Sequence, residues 1–129
     1  MKINFQRLDH LQLCIPPDAE GQAREFYGGL LGLLEIEKPA PLRASGGLWF
    51  EIAGIQLHIG VEPDQSQSKR HPAFEVEDIE AVRNYLEANG VRMRDESSLA
   101  GIERFSFFDP FGNRIELLER TSNEPTTDN

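Results

Sequence analysis

An internal repeat constrains this chain more than any other feature, because two copies of one supersecondary unit must build the same local fold twice. At a shift of 58, the segments LWFEIAGIQLHI (Leu48 to Ile59) and SFFDPFGNRIEL (Ser106 to Leu117) match in type. Phe50 meets Phe108, Glu51 meets Asp109, Gly54 meets Gly112, Leu57 meets Ile115 and Ile59 meets Leu117. The same shift carries Tyr27, Gly32 and Leu33 onto Tyr85, Gly90 and Val91.

Each copy reads as a strand, an amphipathic helix closed by glycine, and three further strands. In the first, Arg7 to Ile15 alternates as a strand, Asp18 offers a helix N-cap, and a helix runs to about Leu31 before Gly32 stops it. Ala23, Phe26, Tyr27, Leu30 and Leu31 share its apolar face, and a hairpin closes the copy at Ala53-Gly54. The second copy opens at His71 with HPAFEVE. Asp78 is its expected cap, Ile79, Val82, Tyr85 and Leu86 its buried stripe, and Asn89-Gly90 its stop. A hairpin then forms from Phe105–Phe108 and Arg114–Glu119 around Asp109 to Asn113.

The expected class is therefore α+β, built from two βαβββ modules. Residues 1–120 make one domain, with module one at about 5–61, a polar linker at 62–70, module two at about 71–120, and a disordered acidic tail at 121–129. A chain of 129 residues can bury a core without staples. No apolar run approaches the eighteen or so residues of a membrane span, and MKINFQRLDH lacks the apolar stretch of a secretory signal. The single Cys14 fits a reducing cytoplasm. Thirteen basic against 22 acidic residues give a net charge of −9, a field that repels a polyanion and argues against nucleic acid as a partner.

With only three histidines in the chain, their positions are the first places to look for chemistry. Strand alternation assigns each a face. Leu11, Leu13 and Ile15 leave His10, Gln12 and Cys14 opposite, while Ile55, Leu57 and Ile59 leave Gln56 and His58 opposite. Phe74 and Val76 oppose His71, Ala73 and Glu75, and Ile115 and Leu117 oppose Arg114 and Glu116. His58 and Glu116 coincide under the shift of 58, and His10 and His71 both open their copy's first strand at a shift of 61, with three extra residues expected before the first helix. If the copies pack about a pseudo-twofold axis, three imidazoles and a carboxylate converge as a divalent metal site. Gln12, Gln56, Glu75 and Arg114 suit the walls of a wet cavity better than a closed core. Trp49 and the Phe pairs read as core, and Cys14 as packing without an activating partner.

Three stretches, LDHLQL, FYGGLLGL and FFDPFGNRIELLE, resemble the vicinal oxygen chelate superfamily of glyoxalases, bleomycin resistance proteins and dioxygenases, over residues 5 to 120. The resemblance implies that the modules pair into a cupped, partly open mixed-sheet barrel around one divalent ion, Zn, Mn, Ni or Fe(II). It places the metal ligands on His10, His71 and Glu116. The fourth position falls on His58, where glyoxalase I has a carboxylate and the related epimerase a carboxamide. His58 is therefore expected either as a displaceable fourth ligand or as the catalytic base.

The implied chemistry is Lewis-acid activation of a substrate's vicinal oxygens. The expected activity is that of a metal-dependent, glyoxalase-like lyase, isomerase or transferase acting on a small oxygenated or thiol-conjugated metabolite. Two alternatives are a non-catalytic antibiotic- or metabolite-binding resistance protein and an extradiol-type Fe(II) dioxygenase. Gln12, Gln56 and Arg104 are candidate substrate contacts, Arg104 as a clamp for an anionic group. Open sheet edges, and the habit of the family, imply a homodimer.

Overall fold

The structure, a computed structural model, describes residues 1–65 and 68–121. The middle of the expected linker and nearly all of the expected tail lie outside these residues. The chain divides into two compact units, residues 1–66 and 67–129. Their strands form two separate four-stranded mixed sheets, not one closed barrel.

In the first unit, β1 (His10–Ile15) is followed by α1 (Glu20–Ala23), which continues as a π-helix over Arg24–Leu30; β2 (Leu34–Ile36), a 3-10 helix (Ala40–Ser45), β3 (Leu48–Ile52) and β4 (Ile55–Val61) complete it. The sheet order is β1-β4-β3-β2, with β1 parallel to β4 and the other pairs antiparallel. Ile15, Phe50, Leu57 and Ile59 are buried on one face of the sheet, and Ala23, Phe26 and Tyr27 are buried on the helix. The Tyr27 and Phe50 rings lie 6.0 Å apart.

The second unit repeats the plan with β5 (Ala73–Glu75), α2 (Ile79–Ala88), β6 (Arg92–Asp95), β7 (Ile102–Phe108) and β8 (Arg114–Arg120), ordered β5-β8-β7-β6. Its core is Ile79 and Leu86 from the helix with Phe105, Phe107, Ile115 and Leu117 from the sheet. Three strands follow the helix in both units, as the repeat predicts.

Several local expectations are corrected. The first strand starts at His10, not Arg7, because only from there does β4 supply a parallel partner. His71 precedes β5 by two residues, although the Glu116 N–H reaches the neighbouring Pro72 carbonyl at 3.0 Å. Neither aspartate caps its helix through its side chain. Asp18 and Asp78 sit at φ 65° and 56°, where the backbone turns sharply. The cap of α2 is instead the Glu119 carboxylate, which accepts from Asp78 N–H at 3.0 Å and Ile79 N–H at 2.9 Å. Those two amides hold the Glu119 carboxyl below its usual range. Tyr85 is exposed rather than part of the buried stripe, one position off the line through Ile79 and Leu86. The 3-10 helix, rich in turn-compatible residues, has no counterpart in the sequence reading.

Strand register also refines the repeat. Trp49 pairs with His58 in the first hairpin, and Ser106 with Glu116 in the second. The last strands therefore keep the offset of 58, but β3 and β7 are related by 57, and Phe50 corresponds to buried Phe107 rather than Phe108. The cause is the turn. Asp109 N–H closes on the Asn113 carbonyl at 2.9 Å across Pro110-Phe111-Gly112, one residue more than Ala53-Gly54. Asp109 is buried and holds this turn together, accepting from the Phe111 and Asn113 amides at 2.9 and 2.8 Å. On the first strands, Gln12 faces His58 as Ala73 faces Glu116, which fixes His10 and His71 as equivalent positions at 61. Of the three extra residues in the first copy, one precedes the helix. The other two lie between Asp18 and Gly32, in the segment that carries the π-turns, and a further one between β2 and β3 is offset by the longer second turn.

Candidate functional site

Sheet alternation in the first unit gathers His10 and Gln12 of β1, Gln56 and His58 of β4, and Trp49 and Glu51 of β3 on the face opposite the helix. Three rings stack there in a row. The indole of Trp49 lies 3.8 Å from the His58 ring at an interplanar angle of 3°, and His58 lies 4.0 Å from His10 at 17°. Trp49 is thus a wall of the polar face, not core. The alternation that placed the histidines, applied to Leu48, Phe50 and Ile52, would have put it there.

Hydrogen bonds fix which nitrogen each ring presents. His10 Nδ1 donates to Asp9 Oδ2 at 2.9 Å, which holds the Asp9 carboxyl below its usual range and leaves His10 Nε2 as the basic nitrogen. His58 Nε2 donates to Gln56 Oε1 at 2.9 Å, so its lone pair is on Nδ1. Burial first, and then the proximity of His10, lower the His58 imidazole's proton affinity, with Asp9 opposing and Lys38 adding to them. His58 is therefore neutral at pH 7 and able to accept a proton or a metal.

These rings, with Gln12, Lys38 and Ser45, line a cavity of about 480 Å³ walled on one side by the 3-10 helix. Cys14, on the same strand face, donates to Glu62 Oε1 at 2.8 Å; burial and then Glu62 push its thiol up, which keeps it protonated and inert.

In the second unit, His71 Nδ1 donates to the Lys69 carbonyl at 2.9 Å, and its Nε2 faces Glu116 Oε1 at 3.0 Å. With Nδ1 protonated, a neutral His71 would set the Nε2 lone pair against a carboxylate oxygen. A proton or a metal ion must lie between them. The other Glu116 oxygen accepts from Arg104 Nη1 at 3.1 Å, while Arg104 Nε donates to the Ser97 carbonyl at 3.1 Å. Arg104 is thus half-buried and committed to Glu116 rather than solvated at a strand end.

Sequence reasoning missed a buried cluster beside it. Arg114 Nη2 reaches Glu96 Oε2 at 2.6 Å, and Ser106 Oγ donates to the same oxygen. Burial pushes the Glu96 carboxyl up, but Ser106 and Arg114 outweigh it and hold the group below its usual range. Nothing in the spacing marks Glu96, which lies between strands.

The donor set suits a divalent cation: imidazole nitrogens whose opposite nitrogens are anchored by oxygen acceptors, and one carboxylate. The first unit contributes the pair His10 and His58, and the second the pair His71 and Glu116. Among the described residues there is no group of three or more His, Cys, Asp or Glu side chains that could hold an ion.

The profile of the Glyoxalase/Bleomycin resistance protein/Dioxygenase superfamily matches residues 7–117. No curated protein matches the sequence. Among solved structures, a glyoxalase family protein from Bacillus anthracis is 40% identical with a TM-score of 0.87, over 94% of this chain and all of its own. A glyoxalase/dioxygenase from Nostoc punctiforme is 25% identical, with a TM-score of 0.74 over 92% of this chain and 94% of that one. The fosfomycin resistance protein FosX from Listeria monocytogenes, 21% identical with a TM-score of 0.74 over 94% and 98%, shares the fold. The two mixed sheets match the glyoxalase-like fold of these structures. No described helix is long and apolar enough to cross a membrane.

Proposed function

Because the chain belongs to the glyoxalase/bleomycin resistance protein/dioxygenase superfamily, we propose that it is a metal-dependent enzyme of glyoxalase type. It acts as a lyase, isomerase or transferase on a small oxygenated or thiol-conjugated metabolite in the cytoplasm. The observation that carries this reading is the meeting of His71 Nε2 with Glu116 Oε1 at 3.0 Å while Nδ1 is already donated elsewhere. A proton satisfies that contact, and an imidazole nitrogen beside a carboxylate oxygen is also a donor pair that suits a divalent cation. In this reading His10, His71 and Glu116 are its ligands.

A bound divalent ion, Zn, Mn, Ni or Fe(II), would supply Lewis-acid polarisation of a substrate oxygen. The chain's own residues do the rest. Asp9 and the Lys69 carbonyl orient His10 and His71. Arg104 fixes the second oxygen of Glu116. His58, neutral and held by Gln56, takes and returns a proton at Nδ1, and Gln12 and Gln56 position polar groups of the substrate.

The test is metal analysis of protein purified without chelator, with one divalent ion per chain as the expected result. Protein that carries no stoichiometric metal and takes up none of the four ions would overturn the reading and place the chain with metal-free binding members of its superfamily. His58→Gln keeps most of the metal and loses about 10² to 10⁴ in turnover. Loss of metal in that variant, with retention in His10→Gln, would reverse the two roles. Oxygen uptake by the Fe(II) form would move the activity to the dioxygenase branch.

A further inference from the structure

Lys38 lies in the wall of the first unit's cavity, beside Ser45, Gly46, Trp49 and His58. Its ammonium donates to Ser45 Oγ at 3.3 Å and to the Gly46 carbonyl. Both acceptors are neutral. An ammonium carries three N–H donors, so one donor and the full charge remain unmatched. Among the described residues Lys38 makes no ion pair, although the chain as a whole is strongly acidic. No Asp or Glu lines the cavity. Glu20, which reaches the same loop, is engaged by the Gly47 N–H at 3.1 Å. A part-buried cation fixed by two neutral oxygens, in a cavity free of carboxylates, is built to receive an anion.

We infer that the substrate carries an oxyanion, a carboxylate or a phosphonate, which Lys38 binds in this cavity of about 480 Å³. The volume falls in the usual range for small-molecule sites, roughly 300–1,000 Å³. Gln12, on the same strand face as His10, supplies a neutral amide to the same ligand. This inference deepens the proposed function and rests on its reading of this face as the substrate site. It names Lys38 as the residue that selects substrate charge, separately from the metal ligands.

Trp49 is the sole tryptophan and stands in the cavity wall, so its emission reports occupancy directly. The full chain is titrated with benzoate, phenylphosphonate and benzamide, once stripped with EDTA and once metal-loaded. At least one oxyanion probe shifts the emission saturably, and benzamide binds about tenfold or more weakly, the value of a hydrogen bond to a charged group. Lys38→Met removes that advantage and leaves benzamide unchanged; Lys38→Arg restores it. The stronger oxyanion identifies carboxylate or phosphonate.

Equal binding of benzamide and the anions would overturn the inference. So would anion binding indifferent to Lys38→Met, or no response to any probe at tens of millimolar. If Lys38→Met fails to fold, Lys38→Gln with the benzamide comparison decides in the same way. Lys38-dependent binding in a protein that holds no metal supports this inference while sinking the metal reading. A metal-loaded protein that ignores Lys38 does the opposite.

Discussion

Glu96 shows how much one carboxylate can carry. Its side chain is 8% exposed and is satisfied by Ser106 and Arg114, itself 13% exposed. Removing one partner leaves a buried charge, so Arg114→Met should cost on the order of 3 kcal/mol in chemical denaturation. The double variant Glu96→Leu/Arg114→Met should recover much of that loss, because both charges leave together. A lowered folded-state pKa means that Glu96 stabilises the protein above the unfolded carboxylate value of about 4.3 and ceases to as pH falls through its folded value. Glu96→Gln should therefore flatten the acid limb of a stability–pH curve below about pH 4.3, and an unchanged limb would refute the assignment. At this scale the sequence was partly legible. Alternation put His10, His58, Gln12 and Gln56 on one face, as the registers do. It could not say which ring nitrogen is free, since that depends on Asp9, Gln56 and the Lys69 carbonyl, acceptors set by local backbone geometry.

Elements were read from periodicity more surely than from their ends. Both helices and all hairpin strands follow the apolar pattern, but the caps do not: α1 begins after Ala19 with no side-chain cap, and at α2 a carboxylate 40 or more positions away takes the place of the local aspartate. Glu119→Ala should lower the melting temperature at neutral pH. The lowered Glu119 pKa makes the difference from the parent shrink as pH falls through it, since a protonated carboxyl caps poorly. The glycines just before β3 and within β4 give a second contrast. Gly47 has φ 88° and no room for a Cβ against the Ile59 carbonyl, so Gly47→Ala should cost about 3 kcal/mol or prevent folding. At Gly60 the added methyl would meet the end of the Gln12 side chain, which can swing aside. Gly60→Ala should leave melting nearly unchanged while displacing the Gln12 amide. Weaker oxyanion binding by that variant, measured through Trp49, would show the amide at work in the cavity.

For the whole molecule, Met1, Ile3, Phe5 and Leu8 are apolar and exposed, and β1, β2, β5 and β6 are sheet edges. We expect a homodimer that covers part of this surface, and a monomer by sedimentation at micromolar concentration would count against it. The offsets between modules carry a different message, about descent. If one ancestral module was copied and fused, the copies have since changed length at the strand–helix junction, inside the first helix, between β2 and β3 and in one hairpin turn, but never within a paired strand. A single insertion inside a strand would send every later side chain to the opposite face and turn His58 or Glu116 toward the core. Such an insertion would expose the buried apolar face of the strand and misplace its chemistry together. The same record tells an engineer where length is free: replacing Pro110-Phe111-Gly112 by Asn-Gly should restore the shorter turn of the first hairpin and keep Glu116 opposite Ser106.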